Sequence, residues 1–130
     1  MAHTVYSYRY TVKSTDIDIL NHVNNVVYLQ WVQEAAIKHW SQLTANNKFD
    51  SFVWVVGRHE IDYIRPSFVG DELEIFTWVG KTEGSTSIRH VEIYKDKKVI
   101  TKSLTVWRLL HAQTFKLVEI PLDMLKILEQ

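Results

Sequence analysis

Residues 16–28 read DIDILNHVNNVVY and gather two carboxylates (Asp16, Asp18), an imidazole (His22), two amides (Asn24, Asn25) and a phenol (Tyr28) within a short run. A carboxylate can attack a carbonyl carbon or take a proton from water. Paired asparagines ahead of an apolar run signal the start of a helix. The first N–H groups of such a helix lack partners and carry partial positive charge, which suits a carbonyl oxygen that becomes an oxyanion during acyl transfer. The chemistry on offer is therefore acyl transfer or hydrolysis with Asp18 or Asp16 as the reacting carboxylate. The same residue types also make an ordinary loop, in which the aspartates satisfy amides, Asn24 caps the helix and His22 packs. Local pattern leaves both readings open.

Competing signatures fail on spacing. No GxSxG elbow for a serine nucleophile is present. The Gly80-Lys81-Thr82 run lacks the glycine that a phosphate loop needs five residues earlier, where Ile75 stands. His3, His22, His39, His59, His90 and His111 show neither HxH nor HExxH spacing, so no zinc site is expected. Asp16 and Asp18 open like a calcium loop, but Asn21 and Val27 occupy the places of its glycine and closing glutamate. With no cysteine there are no disulfides, thiolate ligands or Cys nucleophile.

The elements that must position these residues can be read from periodicity. Tyr6, Tyr8, Tyr10 and Val12 alternate with Ser7, Arg9, Thr11 and Lys13, which predicts a half-buried strand over about Val5 to Lys13. From about Asn25 to Leu43 the spacing is helical, with Leu29, Val32, Ala36, Trp40 and Leu43 on one row. The first two turns of this helix are apolar almost all round, so one sheet face cannot cover them and burial on a second side is expected. Four strand-like stretches follow, near Phe52 to Ile64, Asp71 to Lys81, Thr86 to Lys95 and Val99 to Leu110, with short turns that predict antiparallel neighbours. In the first of these, Val53, Val55, His59, Ile61 and Tyr63 are expected on the inner face. A short helix from about Leu122 to Leu128 follows Pro121. The order gives an α+β fold, in which a curved five-stranded antiparallel sheet holds one long helix and leaves a face or an edge for a second copy.

Composition sets the outer limits. The 130 residues suit one domain over residues 1–130. Fifteen basic residues balance fifteen acidic ones. That neutrality argues against nucleic acid as the main partner, because phosphates demand a Lys/Arg excess. No apolar run reaches the length of a membrane span and no leader pattern opens the chain, so a soluble cytoplasmic protein is expected, without membrane association.

The run TDIDILNHVNNVVYLQWVQEA resembles the motif of hot-dog-fold acyl-CoA thioesterases of the 4-hydroxybenzoyl-CoA thioesterase type, roughly DxDxxGHVNNxxYLxWxExA. HEIDYIRPSFVGDELEI is similar to that family's YxRP…GDxLxV region. The resemblance extends from the first strand to about Pro121. It implies a hot-dog fold, a long helix wrapped by a strongly curved sheet, with two subunits joining their sheets and possible assembly to a tetramer. It implies hydrolysis of an acyl-CoA to a carboxylic acid and CoA, with CoA arriving as part of the substrate and no further cofactor or metal.

By the same resemblance, the second acid of the DxD, Asp18, is the catalytic carboxylate, as nucleophile or general base, and Asp16 is structural. His22 and Asn24 would orient the aspartate, a water or the thioester. The backbone N–H of Asn25 would polarise the carbonyl, and Tyr28 matches the family's helix tyrosine. Asn21 stands where the family often has Gly, and Asn tolerates left-handed backbone better than most residues. A related branch takes its carboxylate from the helix, where Glu34 lies; a solvated helix glutamate is the plainer reading. Arg65, Lys81, Arg89 and Lys102 could each meet a CoA nucleotide, and nothing in the sequence selects among them. Two rival functions stand beside this one. Acyl-acyl-carrier-protein thioesterases carry a very similar DxDxxxHVNN run, and a non-catalytic acyl-CoA-binding dimer could keep the fold.

Overall fold

The computed structural model describes residues 4–129. Strand β1 (Tyr6–Thr11) leads through a one-turn 3-10 helix (Ser14–Asp16) to helix α1 (Asn25–Leu43). Strands β2 (Phe52–Tyr63), β3 (Glu72–Glu83), β4 (Thr86–Lys95) and β5 (Lys98–His111) follow, and helix α2 (Leu122–Leu128) comes last. The strands form a five-stranded sheet in the order β1-β3-β4-β5-β2, antiparallel throughout. The α+β expectation and both helix spans hold. β4 and β5 are joined by Asp96 and Lys97, both at positive φ (49° and 65°), the pairing that a two-residue turn between right-twisted strands requires. Among the described residues no helix is long and apolar enough to cross a membrane.

Two expectations about faces are corrected. In β2 the register shifts between Val56 and Arg58, a bulge that switches which residues point inward. Phe52 and Trp54 therefore pack into the core ahead of the bulge and Val55 is exposed, while beyond it His59, Ile61 and Tyr63 keep the predicted phase toward α1. Strict alternation cannot anticipate a one-residue insertion. In α1 the buried row is Tyr28, Trp31, Val32, Ala35, Ala36 and His39, while Leu29, Trp40 and Leu43 of the predicted row are half-buried. The helix is turned so that its large aromatics, rather than its leucines, meet the sheet. Its other side stays uncovered within one chain, with Val26 and Ile37 each 58% exposed.

The core has two apolar clusters. One joins α1 residues Tyr28, Trp31, Val32 and Ala35 to Leu73, Ile75, Val91 and Ile93; the other joins Val79 and Leu109 to Met124 and Leu128 of α2, with Trp40, Phe52 and Trp54 around it. A polar layer separates them. In it Arg89 donates through Nη1 to His39 Nδ1 (2.8 Å) and Thr77 Oγ1 (3.2 Å), and Thr105 Oγ1 meets His59 Nδ1 at 2.8 Å. His59 thus has the satisfied sheet role its position suggested.

Because a guanidinium can only donate, His39 accepts at Nδ1 and its single proton sits on Nε2. Burial, with the Arg89 charge second, lowers the His39 pKa to about 4. The unfolded imidazole titrates near 6.5, so between about pH 6.5 and 4 the unfolded state binds more protons and stability falls as the pH drops. We expect His39 to withdraw about 2–3 kcal/mol across that window. Urea unfolding as a function of pH tests this against His39→Gln, whose amide oxygen can still accept from Arg89 but gains no proton. Burial shifts His59 and His90 the same way, so the His39 share is the difference between the two pH profiles.

Candidate active site

The segment between β1 and α1 folds back on itself as a small hairpin. Ile17 and Val23 form an antiparallel bridge, the Asp18 N–H donates to the His22 carbonyl (2.9 Å), and the turn is completed by Asn21 at φ 62°. Asn21 therefore adopts the left-handed conformation expected of it. Ser67, fully buried in the β2–β3 connection, pins this hairpin from below. Its carbonyl accepts from the Val23 N–H (3.0 Å) and its hydroxyl lies 2.6 Å from the Tyr28 hydroxyl. Nothing in the sequence marked Ser67, because its role depends on a contact between segments distant in the chain.

Asp16 is a brace. Its Oδ2 accepts from the Tyr10 hydroxyl (2.6 Å) and the Lys13 N–H (2.9 Å), and its carbonyl accepts from the Asn24 N–H (3.0 Å). Asp16→Asn is expected to lower the unfolding free energy by about 1–3 kcal/mol through these bonds to a charged acceptor, with turnover per folded molecule within a few-fold of the parent. Chemical denaturation alongside steady-state rates checks both halves.

Asp18 is placed differently. One carboxylate oxygen accepts from the Leu20 N–H (2.8 Å), which fixes the side chain, and no side chain or backbone group among the described residues pairs with the other. Asn24 is the N-cap of α1, its Oδ1 accepting from the Val26 N–H (2.9 Å). The first turn of α1 contains no acidic residue to offset its positive end, and the Asn25 N–H has no acceptor among the described residues. His22 is exposed and meets Phe68 edge-on, with ring centroids 5.2 Å apart. Neither His22 nor Asn24 hydrogen-bonds to Asp18; the Leu20 amide orients it instead.

All five candidate residues, Asp18, His22, Asn24, Asn25 and Tyr28, line one cleft of about 380 Å³. The far wall comes from the end of β2: Tyr63, whose hydroxyl donates to the Asn25 carbonyl (3.4 Å), and then Ile64, Arg65 and Pro66. Of the four basic residues considered for CoA, only Arg65 reaches this cleft. Lys81 pairs with Glu83 (3.3 Å), Lys102 is exposed on β5, and Arg89 is buried under α1. Glu34 is exposed on α1 and does not line the cleft. Among the described residues, which leave out His3, no three His, Asp or Glu side chains converge as metal ligands would.

A carboxylate with one free oxygen thus faces the same space as an unpaired helix N-terminal N–H, an arrangement able to act on a carbonyl. Comparison with known proteins agrees with that chemistry. The model of the thioesterase-like superfamily matches residues 12–128. The chain belongs to this superfamily. It is a thioester hydrolase with a hot-dog fold. The chain is 25% identical over 126 residues to long-chain acyl-CoA thioesterase FadM of Escherichia coli, a match covering 92% of this chain and 93% of FadM. It is also 25% identical over 131 residues to the chloroplastic acyl-(acyl-carrier-protein) hydrolase FATB2 of Cuphea viscosissima, covering 90% of this chain but only 31% of that protein's length. A predicted thioesterase from Bacillus stearothermophilus, 20% identical, shares the thioesterase's fold with a TM-score of 0.87 over 96% of this chain and 94% of its own.

Proposed function

We propose that this thioesterase hydrolyses acyl-CoA to a carboxylic acid and CoA, with Asp18 as the reacting carboxylate. The observation that carries the reading is the shared cleft of Asp18 and the α1 N-terminus. The thioester carbonyl accepts a hydrogen bond from the Asn25 N–H, which strengthens as the oxygen gains charge in the transition state. As a nucleophile, the free oxygen of Asp18 attacks the carbonyl carbon, the C–S bond breaks to release CoA thiolate, and water then cleaves the mixed anhydride. As a base, Asp18 takes a proton from water while the resulting hydroxide attacks the same carbon, the C–S bond breaks, and the departing CoA thiolate takes that proton back from Asp18. Tyr28, held by Ser67, and Tyr63 shape the wall, and Arg65 sits where a CoA phosphate can pass. Neither route requires a cofactor or a metal beyond CoA itself.

CoA is preferred as the carrier because FadM matches over nearly its whole length. The likeness to FATB2 supports acyl carrier protein as a second reading. Self-association belongs to the proposal. β2 is an edge strand twelve residues long, whose free side a second copy can extend. Thiol release from a panel of acyl-CoAs, run against the matching acyl-acyl-carrier-proteins, tests the carrier. Faster turnover of the CoA series is expected, and hydrolysis of the carrier-protein series alone would reverse the assignment. Light scattering at micromolar concentration should report a dimer or a tetramer.

A further inference from the structure

A second depression, of about 590 Å³, lies between α1 and β2, with Ala36, Ile37, Trp54 and Val56 on its apolar sides. Both depressions lie between α1 and β2, the cleft beside the start of the helix and the groove further along it. Asn25 borders the cleft, and Gln33 and Ile37, eight and twelve residues further along α1, border this groove, while β2 supplies Tyr63 to the cleft and Val56 to the groove. Between the two, Gln33 Nε2 and His59 Nε2 join α1 to β2 at 3.3 Å.

The floor of the groove includes Arg89, only 5% exposed. Its contacts, His39 and Thr77, are neutral acceptors reached through Nη1 alone, and the ion pairs among the described residues, Arg58–Glu60, Lys81–Glu83 and Lys95–Asp71, do not include it. Trp107 lines the same groove, and its buried indole N–H has no acceptor among the described residues. A cation removed from water without a counter-charge costs several kcal/mol. Burial already lowers the Arg89 pKa to about 10. An apolar channel whose inner end offers a guanidinium and an indole N–H, both donors, is complementary to an apolar chain that ends in an anion.

We propose that this groove receives the far end of the acyl chain and that Arg89 binds a carboxylate there, so that the preferred substrates are thioesters of long-chain dicarboxylic acids. The inference rests on the thioesterase reading for the reacting end of the substrate. At about 1.5 Å per helical residue, His39, which Arg89 touches, is about 21 Å along α1 from Asn25, which calls for a long chain.

The test compares hexadecanedioyl-CoA with hexadecanoyl-CoA by thiol release, and measures product inhibition and thermal stabilisation by the two free acids. The native protein is expected to favour the dicarboxylic thioester in kcat/KM by about tenfold, the scale of one hydrogen-bonded charge pair. Arg89→Gln should bring that ratio to near one and abolish the advantage of hexadecanedioate over hexadecanoate as an inhibitor. Arg89→Lys, which keeps the charge, should retain part of the preference and covers the case in which the glutamine variant does not fold. Equal kcat/KM for the two thioesters in the native protein, or a preference that survives Arg89→Gln, overturns the proposal while leaving thioester hydrolysis standing. Should neither thioester be cleaved, the acids still decide the groove: stronger stabilisation of the native protein by hexadecanedioate supports the Arg89 site, and equal stabilisation overturns it.

Discussion

Replacing Asp18 by asparagine is expected to lower acyl-CoA turnover by at least about a hundredfold, the lower end of what a positioned acid, base or nucleophile contributes. The substitution keeps the side-chain shape and an oxygen that can accept from the Leu20 N–H, so the hairpin from Ile17 to Val23 should persist. What disappears is the charge on the oxygen facing the cleft. Because the proposed mechanism has the Asn25 N–H hold the carbonyl independently of Asp18, the loss should fall mainly on kcat, with KM changing little. Asp18 as a plain loop residue forecasts the opposite, a modest loss of stability with turnover within a few-fold. Thermal unfolding measured beside the kinetics separates the two. A well-folded Asp18→Asn protein with near-native kcat would remove Asp18 from the mechanism.

Trp31→Ala should produce the largest loss of stability. Trp31 is 3% exposed in the main core cluster, with its ring centroid 5.0 Å from Tyr10 and 5.2 Å from Tyr28. Removing a buried indole takes away its transfer free energy and leaves a cavity that the surrounding sheet cannot close, a cost of about 3–5 kcal/mol. That is a large fraction of the roughly 5–15 kcal/mol that holds a typical domain together. The effect should reach the site as well, since Tyr10 anchors Asp16 and Tyr28 meets Ser67. The urea midpoint is expected to fall sharply with an unchanged slope, and Trp31→Phe, which refills most of the space, should recover more than half of the loss. An unfolding free energy within about 0.5 kcal/mol of the parent, the range of surface substitutions, would show that the core does not depend on this ring.

Much of this architecture is written in local pattern. The α1 span from Asn25 to Leu43 follows from a capping asparagine ahead of an apolar helical run, and the β4–β5 turn from a polar pair between alternating strands. Such features are set by interactions within a few residues, which sequence spacing records directly. The loop carrying Asp18 was legible for the same reason, although its closure as a hairpin was not. Its polar turn-formers and an asparagine able to take positive φ are close in the chain, and the resemblance to thioesterases rests on the run from Thr15 to Ala35 together with that from His59 to Ile75.

The tertiary structure alone decided the rest. The β2 bulge at Gly57 brought Phe52 and Trp54 inward and left Val55 outside, a choice that the unbroken apolar run from Phe52 to Val56 does not make by itself. Ser67 became the support for Tyr28 and Val23 because the β2–β3 connection passes under the start of α1. Tyr63 and Arg65 became the wall of the cleft because β2 runs beside that helix. Arg89 changed meaning most. In the sequence it is one of several basic residues open to a nucleotide, but its place on the inner side of β4 puts it under His39, away from the cleft and without an acidic partner among the described residues. The physical reason is common to all four. Helical and strand periods fix which way a side chain points relative to its own element, whereas neighbour, burial and charge partner arise from how separate elements pack, and no local period encodes that.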